Sequence, residues 1–354
     1  MAARQLWRAS AMVCGLLLSF AATAAPCLIV SLTGTAGGPQ QPFNGLASAG
    51  TLVRYGDDTD NCGALKLQFD TGRGTTMRLT QLGVGTEQLN AVFFTHMHND
   101  HTEGLEALVM SRWMIQSRLG KFDVVCSADV VAPQGHTVSC RKYLAHVADA
   151  FIESGEVAQR HAEVKERTAG GPADLINAIT FEPTKEPQTV WSSGDVKVSA
   201  IRSTHMAGNV SYRVDTPAGS VVIGGDATND TPAPPRSAST SEQVERLAQG
   251  ADIIVHSAVH PVMAPGKGSN MFSYAYYRQS NVPDLGAMAK RAGAKVLVLT
   301  HLVPPIGGQQ YPFTLKGKPL TENDYKAAAR AGGFTGNIVV GRDLTSVRLP
   351  AKKK

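Results

Sequence analysis

The segment Phe93–His101, "FFTHMHNDH", places His96, His98, Asp100 and His101 within six positions, directly after an apolar run. Imidazole nitrogens with carboxylate oxygens form a ligand set suited to zinc, with manganese or iron as alternatives. His96 and His98 lie two apart, so an extended backbone aims both at one side. A turn through Asn99 lets Asp100 and His101 face a second point nearby. Three further metal-competent residues close apolar runs in the same way: His205 after "VSAIRST", Asp226 after "VVIGG" and His301 after "VLVLT". Strand ends at one edge of a sheet converge. His136, His146, His161 and His260 lack that context and read as singly satisfied polar groups. Imidazoles and carboxylates packed closely without a cation would repel or stay unsatisfied. The cluster therefore points to metal-dependent chemistry.

The elements that must carry these residues are legible as two β-rich halves. "CLIVSL", "GTLVRYG" and "ALKLQFD" are short apolar or alternating runs, and "NAVFFTH" is a buried strand leading into the histidines. "TTMRLTQLG" predicts a short helix ending at Gly83, and "GLEALVMSRWMIQSRLG" a longer one closing on Gly120. Residues 126–188 turn polar and helical, an insertion over one edge. The second half runs through "VKVSAIRSTH", "VSYRVDT", "SVVIGGD" and "ADIIVHSAV", then the helix "VPDLGAMAKRAG" and the strand "KVLVLTH". Two β-rich halves with flanking helices predict sheet packed on sheet with helices outside.

The 354-residue chain opens with Arg4, Arg8 and the apolar core "AMVCGLLLSFAATA", which predicts a signal peptide over residues 1–24 and one domain over 25–354. That core is short for a membrane span, and Cys27 after Pro26 fits a lipoprotein box poorly, so no membrane anchor is expected. The expected location is periplasmic or secreted. Without the two leader arginines the net charge falls from +5 to +3, too mild to argue for a nucleic-acid partner. Cys27, Cys62, Cys126 and Cys140 remain, with Cys27–Cys62 and Cys126–Cys140 as the local disulfide choices. No C-x-x-C spacing suggests a zinc ribbon. Monomer and homodimer are both compatible with the sequence.

"THMHNDH" resembles the H-x-H-x-D-H signature of the metallo-β-lactamase-fold hydrolases, and His205, Asp226 and His301 follow in that family's order. "LTGTAGGPQ", "LQFDTGRGTTMRL" and "ADIIVHSAV" resemble the branch holding ribonuclease Z and the zinc-dependent arylsulfatases. The resemblance implies an α/β fold, the αββα sandwich, with two Zn2+ at one edge of the sheets. His96, His98 and His205 would hold the first metal, and Asp100, His101 and His301 the second, with Asp226 bridging. Asp70 matches a supporting position. Such a pair holds a hydroxide between the ions, Asp100 orients it, and the ions stabilise the charge building on the attacked ester.

The sequence departs from ribonuclease Z at two motifs. Its "HEAT" strand reads "HSAV" here, putting Ser257 in the Glu position, and its "HST"-like loop aligns with "QSNV", putting Gln279 in the His position. A positioned general acid is worth roughly 10²–10⁴-fold, and an alkoxide leaving group needs that help far more than a phenolate does. His256, Tyr274, Tyr276 or Tyr277 is left to supply a proton, with "MFSYAYYRQ" read as core packing in preference to a substrate-facing wall. The expected protein is an exported binuclear-metal hydrolase of a small ester with a good leaving group, arylsulfatase-like. The alternatives are a phosphodiesterase or nuclease with a substituted acid, and a metal-binding protein without turnover. β-Lactam hydrolysis fits the loop motifs less well.

Overall fold

A computed structural model describes residues 24–38, 45–115, 120–308 and 313–350. The expected leader, apart from Ala24, and the terminal "AKKK" lie outside these residues. In chain order the strands are β1 (Pro26–Gly34), β2 (Gly50–Asp57), β3 (Leu65–Phe69), β4 (Ala91–Phe93), β5 (Phe122–Ser127), β6 (Val130–Val131), β7 (Thr137–Val138) and β8 (Ile176–Phe181). They continue with β9 (Gln188–Ser193), β10 (Val196–Arg202), β11 (Val210–Thr216), β12 (Gly219–Ile223), β13 (Ile253–Val259), β14 (Val296–Val303), β15 (Asn337–Val340) and β16 (Ser346–Leu349). The helices are α1 (Thr75–Gln81), α2 (Asn99–Thr102), α3 (Leu105–Ile115), α4 (Cys140–His146), α5 (Asp149–Glu153), α6 (Glu156–Glu163), α7 (Glu242–Leu247), α8 (Ser273–Tyr277), α9 (Val282–Arg291) and α10 (Glu322–Ala331).

Two seven-stranded sheets form, in the orders β16-β1-β2-β3-β4-β5-β8 and β15-β14-β13-β12-β11-β10-β9. Period-2 patterning builds the layer between them. On β10, Val196, Val198 and Ala200 point into the inter-sheet core with Phe69, Phe93 and Tyr212, while Ile201 faces the helices. A second apolar layer packs α7, α9 and α10 on one sheet, and a third packs α1, α3 and α4 on the other. The expected αββα sandwich is the fold.

Within each sheet half of the pairings are parallel, β3-β4-β5-β8 in one and β12-β13-β14-β15 in the other. Open α/β sheets bind ligands beyond the carboxyl ends of such strands. Both local disulfides form, Cys27–Cys62 and Cys126–Cys140. The helical reading of residues 126–188 needs correction. Helices fill the stretch from Cys140 to Glu163, but β6 and β7 pair as a hairpin and β8 adds an edge strand parallel to β5. A polar edge strand has half its side chains in solvent, so its pattern mimics a polar helix.

Candidate metal centre

His96, Asp226 and His205 stand on short loops after β4, β12 and β10, while Asp100 and His101 open α2. His301 does not end its strand as expected. It lies inside β14, at the bulge opposite Ser257 and Ala258, with φ 48°. A bulge re-aims a side chain without ending the ladder. The loops are tied across the two sheets: the Tyr212 hydroxyl donates to the Phe94 carbonyl at 2.8 Å, and Val210 N–H to Thr95 O at 2.9 Å. Gly225, at φ 58°, allows the closest approach, because a Cβ there would sit 2.9 Å from Thr95 Cβ.

Seven side chains converge. His96 Nε2 lies 2.9 Å from His98 Nδ1, which lies 3.2 Å from His205 Nε2. His96 Nδ1 is hydrogen-bonded to Thr95 Oγ1 at 3.0 Å, and His205 Nδ1 donates to the Arg278 carbonyl at 3.0 Å. The facing nitrogens of His96 and His205 therefore carry lone pairs. Two nitrogens bound to one zinc at about 2.0–2.1 Å stand roughly 3.3 Å apart, close to these separations. Beside this trio, His301 Nε2 lies 3.2 Å from Asp100 Oδ2 and 3.4 Å from Asp226 Oδ2, and His101 Nε2 lies 3.7 Å from both Asp100 Oδ2 and Asp226 Oδ1. Asp226 Oδ2 is also 3.8 Å from His205 Nε2, so this one carboxylate spans both groups. Asp100 Oδ1, Asp226 Oδ1 and His101 Nε2 are buried without hydrogen-bond partners. Buried polar atoms left unpaired are costly, and a divalent cation together with the water it carries is the partner that suits them.

Burial holds His96 well below the usual histidine range, lowers His98, and brings His205 to about 4, so these three are neutral ligands near pH 7. Burial opposes charge on His101 too, but Asp70, Asp100 and Asp226 outweigh it and raise that imidazole well above its usual range. His301 is likewise raised by Asp226 and Asp100 against burial. Burial would raise Asp226, yet His301, His101 and His205 hold it well below the carboxylate range. The pocket is built to place negative charge among imidazoles.

Asp70 supports the cluster as expected. It accepts from His101 Nδ1, Thr95 N–H and Thr95 Oγ1, each at 2.8 Å, which fixes the His101 tautomer and leaves Nε2 facing the centre. Its φ of 55° is a left-handed value that Asp tolerates. Asp70→Asn is expected to weaken metal affinity about 10–100-fold, measured by competition with a chromophoric chelator. Wild-type affinity in that variant would remove Asp70 from this role.

The proton donor proposed at His256 needs correction. Its side chain is fully buried beside a void of about 20 Å3 behind the metal ligands, with Nδ1 donating to the Ser257 carbonyl at 2.8 Å. It does not line the open pocket. Ser257 is also buried, with Oγ unpartnered, whereas Gln279 lines the pocket with Nε2 3.5 Å from Asp226 Oδ2. The tyrosine run divides: Tyr276 packs inward with Val259 and Met263, while Tyr274 is 66% exposed and lines the pocket. Packing was the wrong preference for Tyr274, because a five-residue helix at a rim shows one face to each side. Sequence reasoning passed over Arg278, whose guanidinium Nη2 donates to the His205 carbonyl at 3.3 Å. Its place next to Gln279 in the aligned loop was the available signal. Of the four isolated histidines, His146 pairs with Asp149, His161 with the Arg167 carbonyl and His260 with Val262 N–H, while His136 lines a neighbouring cleft.

Comparison with known proteins bears on the fold. A family profile described as "Anti-Pycsar protein Apyc1" matches residues 60–134. A protein named ribonuclease Z from Mycobacterium bovis (strain BCG / Pasteur 1173P2) is 26% identical over 330 residues, covering 92% of this chain and all of the relative. Among solved structures, the metallo-β-lactamase fold protein YhfI from Bacillus subtilis superposes with a TM-score of 0.58 at 17% identity, covering 92% of this chain and 100% of that one. The short form of human tRNase Z superposes with a TM-score of 0.56 at 16% identity, covering 91% and 99%.

Proposed function

Starting from a chain of the metallo-β-lactamase-fold, ribonuclease Z-like superfamily, we propose a metal-dependent hydrolase that cleaves phosphodiesters with good leaving groups. The observation that carries it is the convergence of seven candidate ligand side chains, five of which, His98, Asp100, His205, Asp226 and His301, line an open pocket whose wall holds Gln279 and Tyr274 but no further carboxylic acid or histidine among the described residues. The ribonuclease Z relatives support the phosphodiesterase alternative over the sulfate-ester reading of the sequence.

His96, His98 and His205 would hold one divalent ion, and Asp100, His101 and His301 a second, with Asp226 shared. Bound ions of this kind supply positive charge against the phosphoryl oxygens and water that ionises near neutral pH. Asp100 Oδ1, unpartnered, is the acceptor that orients the attacking water's proton. Gln279 can donate a hydrogen bond from the pocket wall but cannot give up a proton. Ser257 is enclosed behind the ligands. Tyr274 is the remaining hydroxyl on the pocket wall, and a phenol is a weak acid near neutral pH, so the departing oxygen gets little help and stable oxyanions are favoured. Two disulfides support action outside the cytoplasm, where such bonds persist.

The test is a series of aryl methyl phosphates, with bis-p-nitrophenyl phosphate and p-nitrophenyl sulfate alongside, using zinc- and manganese-loaded protein. Diester hydrolysis is expected to be lost to chelators and to fall steeply as the leaving phenol becomes less acidic. Sulfate hydrolysis without diester hydrolysis would overturn the substrate class. A flat dependence on the leaving group would reveal a proton donor that the pocket does not show.

A further inference from the structure

Two clefts meet over the ligand cluster, and three residues, His98, His205 and Arg278, line both. The smaller, about 250 Å3, carries Tyr274, Phe313 and Met271 on its wall. The larger, about 1000 Å3, runs between the β6–β7 hairpin and the loop after β10, past Gln134, His136 and Arg202. One cleft is walled by aromatic rings, and the other, without Phe, Tyr or Trp among the described residues, mixes aliphatic side chains with Gln134, His136 and Arg202. Arg278 stands at their junction and, among the described residues, its side chain makes one hydrogen bond, from Nη2 to the His205 carbonyl, which leaves further guanidinium donors for a ligand.

The aromatic wall is exposed by design of the short helix. Phe272 and Tyr274 are 57% and 66% exposed and lie in a stack, centroids 5.7 Å apart and planes within 9°, with Phe313 edge-on to Phe272 at 6.0 Å. Exposed parallel rings beside a pocket offer a face to a flat substituent. A sulfate or phosphate monoester carries one organic arm and would fill one cleft. A phosphodiester carries two, with one negative charge between them.

Building on the phosphodiesterase reading, we propose that Arg278 clamps the anionic centre of a diester whose aryl or heterocyclic arm lies against Tyr274 and Phe313 and whose second arm follows the hairpin cleft. Arg278 contributes charge-assisted hydrogen bonds to the phosphoryl oxygens. Tyr274 sets the preference for a flat arm.

Phosphinates test this without turnover, because their P–C bonds are not hydrolysed. Calorimetry on zinc-loaded protein compares methyl(phenyl)phosphinate with dimethylphosphinate, and metal content is measured on every variant. The phenyl compound is expected to bind about tenfold tighter, in line with stacking on an aromatic side chain. Tyr274→Ala should bring that ratio close to one. Arg278→Ala should weaken both compounds about tenfold with full metal content, and Arg278→Lys should restore part of the loss. An unchanged ratio in Tyr274→Ala overturns the aromatic subsite. Loss of metal in Arg278→Ala shows that Arg278 acts only by holding His205, and overturns the clamp. Failure of ester hydrolysis with this binding pattern intact would count against the proposed reaction and not against the subsite.

Discussion

Asp226→Ala lowers phosphodiester turnover by about 10³-fold or more, a barrier increase of several kcal/mol. The expectation follows from its position. It is the one carboxylate within 3.8 Å of His205, His301 and His101 together, and its negative charge is what those imidazoles share. Without it both ligand groups lose a donor at once, so bound metal falls along with rate. Metal analysis of the purified variant and assays in excess zinc and manganese distinguish weakened loading from lost chemistry. Circular dichroism checks that the fold persists. A variant with full turnover would place the reaction elsewhere in the molecule.

The second large effect comes from a residue with no side chain. A Cβ on Gly72 would lie 2.1 Å from the Asp100 carbonyl oxygen, 2.6 Å from Ser48 Cβ and 2.7 Å from Ala49 N. Two of these contacts are backbone, fixed further by the Gly72 N–H to Ala49 carbonyl bond at 2.8 Å and by Thr71 N–H to His101 O at 2.7 Å. Nothing flexible can give way. Gly72→Ala therefore costs about 3 kcal/mol, typical of severe overpacking, and pushes α2 away from the centre. Thermal unfolding should show a clear drop, and zinc stoichiometry should fall even at temperatures where the variant is folded. Wild-type stability and metal content together would mean that the α2 loop is not wedged against Gly72.

The ligand set was legible because its ligands follow apolar runs long enough to be buried strands, and the ends of such strands meet at one edge of the two packed sheets. His96, His205 and Asp226 obey that rule plainly. His301 obeyed it in sequence but not in structure, since β14 continues through Val303 and a bulge turns the imidazole inward. A bulge adds one residue without any compositional mark, so the pattern of side chains cannot announce it. The rim was less legible than the floor. Tyr274 and Tyr276 are the same residue type two apart on one short helix, and only the packing of Val259 and Met263 decides which is buried. His256 failed as a donor for a related reason: its strand β13 lies between β12, which leads to Asp226, and β14, which carries His301, yet its ring is fully buried with Nδ1 on the Ser257 carbonyl.

The Cys126–Cys140 bridge closes a loop that is tied to β8 by Ala128 N–H to the Phe181 carbonyl and beyond that point held by local bonds, with Ser139 Oγ donating to Asp129, Ala132 N–H to His136 O and Gly135 N–H to Ala132 O. The hairpin it encloses forms a wall of the larger cleft but contributes no metal ligand. It is a cassette, stapled at its base. Residues 130–138 can be exchanged or randomised as a unit, so a library built there would vary one wall of the larger cleft while the candidate metal centre stays constant.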